Sequence, residues 1–222
     1  MVKAVSFFKR KPGMSVEAFQ TYWRTRHPDV VVKLPGIRRY VQSHTLRSAY
    51  REGEPVYDGI AEVWFDDTRA MRALASTAEY AAVQADEAQF IARSTMGLIV
   101  TEEHVVKDGQ VPADGVKKVE FVTRKAGMPV DRFQPYWSRI HGPLAALIPG
   151  VRRYVQSHTR RSAYEAGRAP LYDGVAVTWF DDAEAMRASA ATPECARVRA
   201  DEGHVITRDP PFILTTEHPI IA

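Results

Sequence analysis

Apolar residues fall into short runs and into steps of four. Residues 5–8 form a compact apolar run rich in β-formers, broken by Lys11-Pro12-Gly13. Across residues 15–26, Phe19 and Trp23, followed by His27, recur at every fourth position. That spacing places them on one helical face, drifting by about 40° per step. Pro28 is expected to stop this helix. After Pro35-Gly36, residues 37–45 alternate and predict a second strand, with Tyr40, Gln42 and His44 on one face and Val41 and Ser43 on the other. Residues 58–65 read as a third strand. Asp66-Asp67 then offer a cap for a helix over 68–76, a further helix covers 78–90, and residues 98–104 supply a fourth strand. With the two neighbouring helices counted as one layer, the order is βαββαβ.

The pattern occurs twice. Residues 35–45, Pro-Gly-Ile-Arg-Arg-Tyr-Val-Gln-Ser-His-Thr, return 114 positions later as 149–159 with a single change of isoleucine to valine. Phe19, Gln20, Tyr22, Trp23 and His27 recur as Phe133, Gln134, Tyr136, Trp137 and His141, and Tyr57-Asp58-Gly59 recurs as Tyr172-Asp173-Gly174. Units of about 105 residues are too long for solenoid repeats and read as duplicated domains. The boundaries expected are 1–106 for the first repeat, 107–115 for a polar linker containing glycine and proline, and 116–222 for the second.

Composition removes several function classes. With 45% hydrophobic and 26% charged residues the chain reads as soluble and globular, and each repeat is long enough to bury a core. Net charge is only +3, and the basic residues are scattered or paired, so no nucleic-acid partner is expected. Cys195 is the sole cysteine, which excludes an internal disulfide or a cysteine metal cage and suggests a reducing, cytoplasmic setting. No stretch is apolar enough for a signal peptide or membrane span, so no membrane partner is expected either.

A βαββαβ unit is the split βαβ, ferredoxin-like motif, a four-stranded antiparallel sheet with helices on one face. The bare face needs covering, and a second identical sheet is a ready cover. The expected fold is therefore α+β: two ferredoxin-like repeats packed sheet to sheet as an intramolecular dimeric α+β barrel. A homodimer of the whole chain would then have to use helices or edges.

These residues resemble a known family. Residues 8–14 (Phe-Lys-Arg-Lys-Pro-Gly-Met), the helix bearing Phe19, Tyr22, Trp23, Arg26 and His27, the Leu-Pro-Gly-Ile-Arg-Arg-Tyr run at 34–40 and Glu102-Glu103-His104 are similar to the EthD family of dimeric α+β barrel proteins. The resemblance covers nearly all of each repeat. It implies association with the chemistry of small hydrophobic molecules, on a barrel whose relatives include cofactor-free isomerases, cyclases, dehydratases, decarboxylases and quinone-forming monooxygenases. Duplicated barrels of this kind can also hold haem, but no further motif in this chain supports a haem site. The second repeat departs at Thr123, Ile140 and Cys195, where the first has Lys9, Arg26 and Tyr80.

The candidate chemistry is acid–base work on an apolar substrate, without cofactor or metal. Helix one should run antiparallel to strand two and bring His27 near Tyr40, while strand four should return His104 to the same end. The expected catalytic groups are thus His27, Tyr40 and His104, with His141, Tyr154 and His218 in the second repeat. Phe19, Tyr22 and Trp23, with Phe133, Tyr136 and Trp137, are the expected substrate-binding walls. There is no phosphate loop, nucleophile elbow or metal-ligand spacing. Structural readings compete with these. A histidine at a helix C-terminus is favoured by the dipole, the tryptophans suit a core, and His44 and His158 suit turns or interfaces. The function expected is a cofactor-independent lyase or isomerase acting on a small aromatic or polyketide-like molecule. The alternatives are a cofactor-free monooxygenase of phenols and a noncatalytic binder of a hydrophobic metabolite.

Overall fold

The computed structural model describes residues 1–222 with the exception of 166 and 168. The chain divides into two compact units, Met1–Val100 with Glu217–Ala222, and Thr101–Thr216. Among the described residues, no helix is long and apolar enough to cross a membrane.

Unit one opens with β1 (Val2–Phe8) and α1 (Val16–Thr25). Ser15 starts the helix by accepting a hydrogen bond from the Ala18 amide, and Glu17 and Arg24 sit at the ends that the helix dipole favours. The helix ends one residue before Arg26, and Pro28 then opens a short α2 (Pro28–Val31). Proline loses nothing at a first helical position, where its missing N–H would have had no partner. β2 (Ile37–Thr45) follows a glycine turn in which Gly36 has φ 78°. β3 (Gly59–Phe65) lies between β1 and β2, antiparallel to both, with Val2 opposite Phe65 and Tyr40 opposite Val63. Asp67 caps α3 (Thr68–Ala73) as the sequence suggests, and Thr77 caps α4 (Ala78–Phe90). β4 (Gly97–Lys107) runs from unit one into unit two.

Unit two repeats the plan with β5 (Val116–Val122), α5 (Val130–Tyr136), α6 (Gly142–Ala146), β6 (Arg153–Thr159), α7 (Arg161–Glu165), β7 (Gly174–Phe180), α8 (Ala183–Ala190), α9 (Pro193–Val205) and β8 (Phe212–Ile221). Here β7 is central, pairing with β5 and β6. One local difference matters. Pro135 stands inside α5, where the first repeat has Thr21, and the five residues after α5, Trp137–His141, form a π turn. A proline inside a helix removes one ladder hydrogen bond and crowds the preceding turn.

The helices cover the sheet face that carries Phe8, Ala61 and Tyr40. Phe8, Phe19, Trp23, Phe90 and Ile91 form one buried cluster, and Val122, Phe133, Trp137, Tyr154 and Val205 belong to its counterpart in unit two. Each tryptophan packs directly over a glycine of the central strand. A methyl added at Gly59 would overlap Cζ3 of Trp23, and one at Gly174 would overlap both Trp137 and the Ser157 carbonyl. Gly59→Ala and Gly174→Ala should therefore each destabilise by about 1–3 kcal/mol, as overpacked cores do. Urea unfolding of the two variants measures this, and unchanged midpoints would contradict the tight glycine–tryptophan contact.

Candidate functional site

In unit one the end of α1, the middle of β2 and the last turns of α4 bring five polar side chains together. His27 is buried, and its Nδ1 lies 2.7 Å from Asp86 Oδ2. The other Asp86 oxygen accepts the Tyr22 hydroxyl at 2.7 Å. A carboxylate can only accept, so at neutral pH Nδ1 carries the imidazole proton and Nε2 presents its lone pair. Burial lowers the His27 pKa, with the Asp86 hydrogen bond and charge opposing it, so the ring is neutral near pH 7. The ring meets Tyr40 edge-on at 6.5 Å and Phe90 at 5.0 Å. Glu87, next to Asp86 on α4, has its carboxyl pushed up to about 7 by burial.

A second network starts from Tyr40. Its hydroxyl accepts from Trp23 Nε1 at 3.2 Å and from Gln42 Nε2 at 3.1 Å, which leaves its own proton available to donate. Burial raises the Tyr40 pKa far above the ordinary phenol value. Gln42 Nε2 also donates to the Trp23 carbonyl at 2.8 Å, which fixes the amide orientation and leaves Oε1 as an acceptor 3.0 Å from His44 Nε2. His44 is therefore the Nε2–H tautomer. It is 4% exposed and stacks on Trp23 at 4.3 Å with a 10° interplanar angle. Burial, then His218 and Arg24, bring its pKa down to about 3.

Unit two reproduces both networks. Asp201 holds His141 Nδ1 at 2.9 Å and the Tyr136 hydroxyl at 2.7 Å. Gln156 Nε2 donates to the Trp137 carbonyl and to the Tyr154 hydroxyl, both at 2.8 Å, and His158 Nε2 lies 3.0 Å from Gln156 Oε1. Burial raises Tyr154, pushes Glu202 up to about 7 and, together with His104, brings His158 down to about 3.

The expected cluster is thus only partly assembled. His27 and Tyr40 are brought together, but His104 is not with them. It lies in unit two, 4.3 Å from the His158 ring, and His218 lies in unit one, 4.7 Å from His44. Strands β4 and β8 are longer than the expected run 98–104. At about 3.3 Å per residue the last part of β4 outruns the sheet of unit one and pairs with β6, Thr101 opposite Thr159 and His104 opposite Gln156. Phe19, Trp23, Phe133 and Trp137 have no more than 1% of their surface exposed and belong to the core, while Tyr22 and Tyr136 are half-buried. His44 and His158 are buried ring partners of tryptophans instead of turn residues. Asp86, Glu87, Asp201 and Glu202 lie outside the sequence motifs described above. The signal for them is Ala-Asp-Glu, present at 85–87 and again at 200–202.

The model of the EthD domain matches residues 11–94 and 125–209, once in each repeat and over more than half of the chain. The chain belongs to the EthD domain family. No curated protein matches it significantly. Among solved structures, this EthD chain is similar to an anthrone oxidase-like protein (12% identity, covering 99% of this chain and 92% of that one, TM-score 0.61). A protein from Fusobacterium nucleatum subsp. nucleatum, described as a candidate monooxygenase, has 9% identity, coverage of 99% and 92%, and a TM-score of 0.60. A mutant chlorite dismutase from Candidatus Nitrospira defluvii has 10% identity, coverage of 99% and 92%, and a TM-score of 0.54. At these identities the likeness is one of fold.

Proposed function

We propose that this EthD protein is a cofactor-independent enzyme of the lyase or isomerase kind, acting by proton transfer on a small aromatic or polyketide-like molecule. The observation that supports it is the carboxylate–imidazole pair held identically in both repeats, Asp86 with His27 and Asp201 with His141. Each carboxylate holds Nδ1, which leaves Nε2 as the nitrogen that can take a proton. A carboxyl with a pKa lifted to about 7 stands beside it in sequence, at Glu87 and Glu202, and can return one. The Tyr40 and Tyr154 hydroxyls, held by the neighbouring glutamines, are the donors for an oxyanion that develops as the proton leaves. His104 and His218 have no part in this step.

The structural neighbours named for oxidase and monooxygenase activity fit the same first step, since a phenol or anthrone must lose a proton before it reacts with oxygen. The test therefore follows proton and oxygen together. A panel of anthrones, phenols and 1,3-diketones is incubated with the protein in D₂O, with NMR reporting exchange or rearrangement at carbon and an electrode reporting oxygen. Carbon-bound exchange or product without oxygen uptake is the expected result. Stoichiometric oxygen consumption would replace the lyase or isomerase reading with the monooxygenase one. Saturable binding with neither signal would make the protein a binder.

A further inference from the structure

The two repeats share one more constellation, away from the histidines, and differ in one part of it. In unit one the Arg10 amide donates to Asp58 Oδ2 at 2.7 Å, Arg10 Nε donates to the Met14 carbonyl at 2.9 Å, and Arg10 Nη1 reaches Asp58 Oδ1 at 2.7 Å. Tyr50 donates to the same Oδ1 and lies under the guanidinium. Unit two repeats every one of these contacts with Arg124, Asp173, Met128 and Tyr164.

What differs is the outer edge of the guanidinium. In unit one Glu54 grips it with both oxygens, Nη1 at 2.9 Å and Nη2 at 2.7 Å, and Lys9 stands 3.7 Å behind. In unit two the residue before the matching proline is Ala169, and Thr123 replaces Lys9. Among the described residues, Arg124 Nη2 has no carboxylate partner. In place of a glutamate side chain there is a cavity of about 410 Å³, lined by Arg124, Lys125, Met128, Pro129, Ala169 and Pro170 among others.

We propose that this cavity is a binding site for a small monocarboxylate with a short apolar body, seated on Arg124 as Glu54 is seated on Arg10. The first repeat shows the bound geometry with its own side chain serving as the ligand. A guanidinium fork recognises a planar carboxylate through two parallel hydrogen bonds. The remaining lining is largely apolar and suits a methylene chain. Asp173 already lies on Arg124, so a second single negative charge repeats the arrangement of unit one, whereas a phosphate dianion beside that carboxylate is disfavoured.

Sodium propionate, which reproduces the glutamate side chain, is the probe. It is titrated into the ¹⁵N-labelled full-length protein at constant ionic strength, with chloride and phosphate as controls. The result expected is saturable shifts at the Arg124 Nε–H and the Gly127 amide, with phosphate weaker by at least tenfold. Ala169→Glu supplies the carboxylate internally and should abolish these shifts. Should that variant not fold, Ala169→Leu fills the same space without charge and should do likewise. Glu54→Ala opens the first repeat and should add a second set of shifts around Arg10. No saturable propionate shift in the unmodified protein, or shifts that persist unchanged in the filled variants, would overturn the assignment.

Discussion

His27→Asn and His141→Asn should each fold normally and lower the turnover of the repeat that carries it by about 10²–10⁴-fold, the usual worth of a positioned acid–base group. The expectation rests on atoms. The carboxylates hold Nδ1, so only Nε2 is left to accept a proton, and asparagine offers no basic nitrogen there. Asp86→Asn should cost nearly as much. Its amide can donate to Nδ1, which would move the imidazole proton to Nε2 and remove the lone pair that does the work. Tyr22→Phe removes one hydrogen bond from Asp86 but leaves His27 in place, and should change turnover little. A purely structural histidine gives the opposite pattern: about 1–3 kcal/mol of stability lost as the buried hydrogen bond to the carboxylate goes, with rates nearly intact. The repeats must be compared singly and then together, because His141 ends a π turn while His27 follows a regular helix. Modest loss in each single variant with abolition in the double indicates two working sites. Full activity in the double variant would remove both histidines from the reaction.

How far the residues disclosed this arrangement depends on the range of the interactions. Local ones were legible. The four-residue step placed Phe19, Trp23 and His27 on one buried face, strand alternation put Tyr40, Gln42 and His44 together, and Asp67 marked a cap that forms. The proximity of His27 to Tyr40 followed from these and from the direction of the chain. Partners brought from afar were not legible. Asp86 lies 59 residues from His27, on a helix whose many alanines blur the apolar stripe that would have shown its inner face. The destination of His104 was hidden for a different reason. Nothing in the run of β4 says how far it extends, and its extra residues pair with β6 of the other repeat. His44 and His158, next to the ends of β2 and β6, read as turn or interface residues because a stack against tryptophan has no sequence period.

Buried histidines and half-buried glutamates with opposite shifts make the response to acid unusual, and a stability titration should show it. His44 and His158 have pKa values near 3 in the folded chain against about 6.5 when unfolded, so between those values the unfolded state binds protons that the folded state refuses. Stability contributed by their neutrality is complete above pH 6.5 and declines as pH falls toward 3. Glu87 and Glu202 work in reverse. Their folded pKa values near 7 exceed the unfolded value of about 4.3, so the folded state gains as pH drops through 7, and the gain is complete near 4.3. From pH 6.5 to about 4.5 the two pairs largely cancel, and what remains is the smaller loss from His27 and His218, whose pKa values burial also lowers, so urea midpoints should fall only gently. Below that the glutamates no longer offset the histidines, and His44 and His158 together should lower stability by up to about 3 kcal/mol per pH unit. Exposed pairs such as Arg38–Asp66 and Arg152–Asp181 weaken in the same acid range, and titration in high salt screens their part. In Glu87→Gln/Glu202→Gln the opposing gain is gone, so the decline should begin at pH 6.5. In His44→Gln/His158→Gln the protein should start less stable at pH 7 and show a shallower acid limb. An acid limb as steep in that double variant as in the unmodified protein would mean that the stacked histidines are not the groups that titrate.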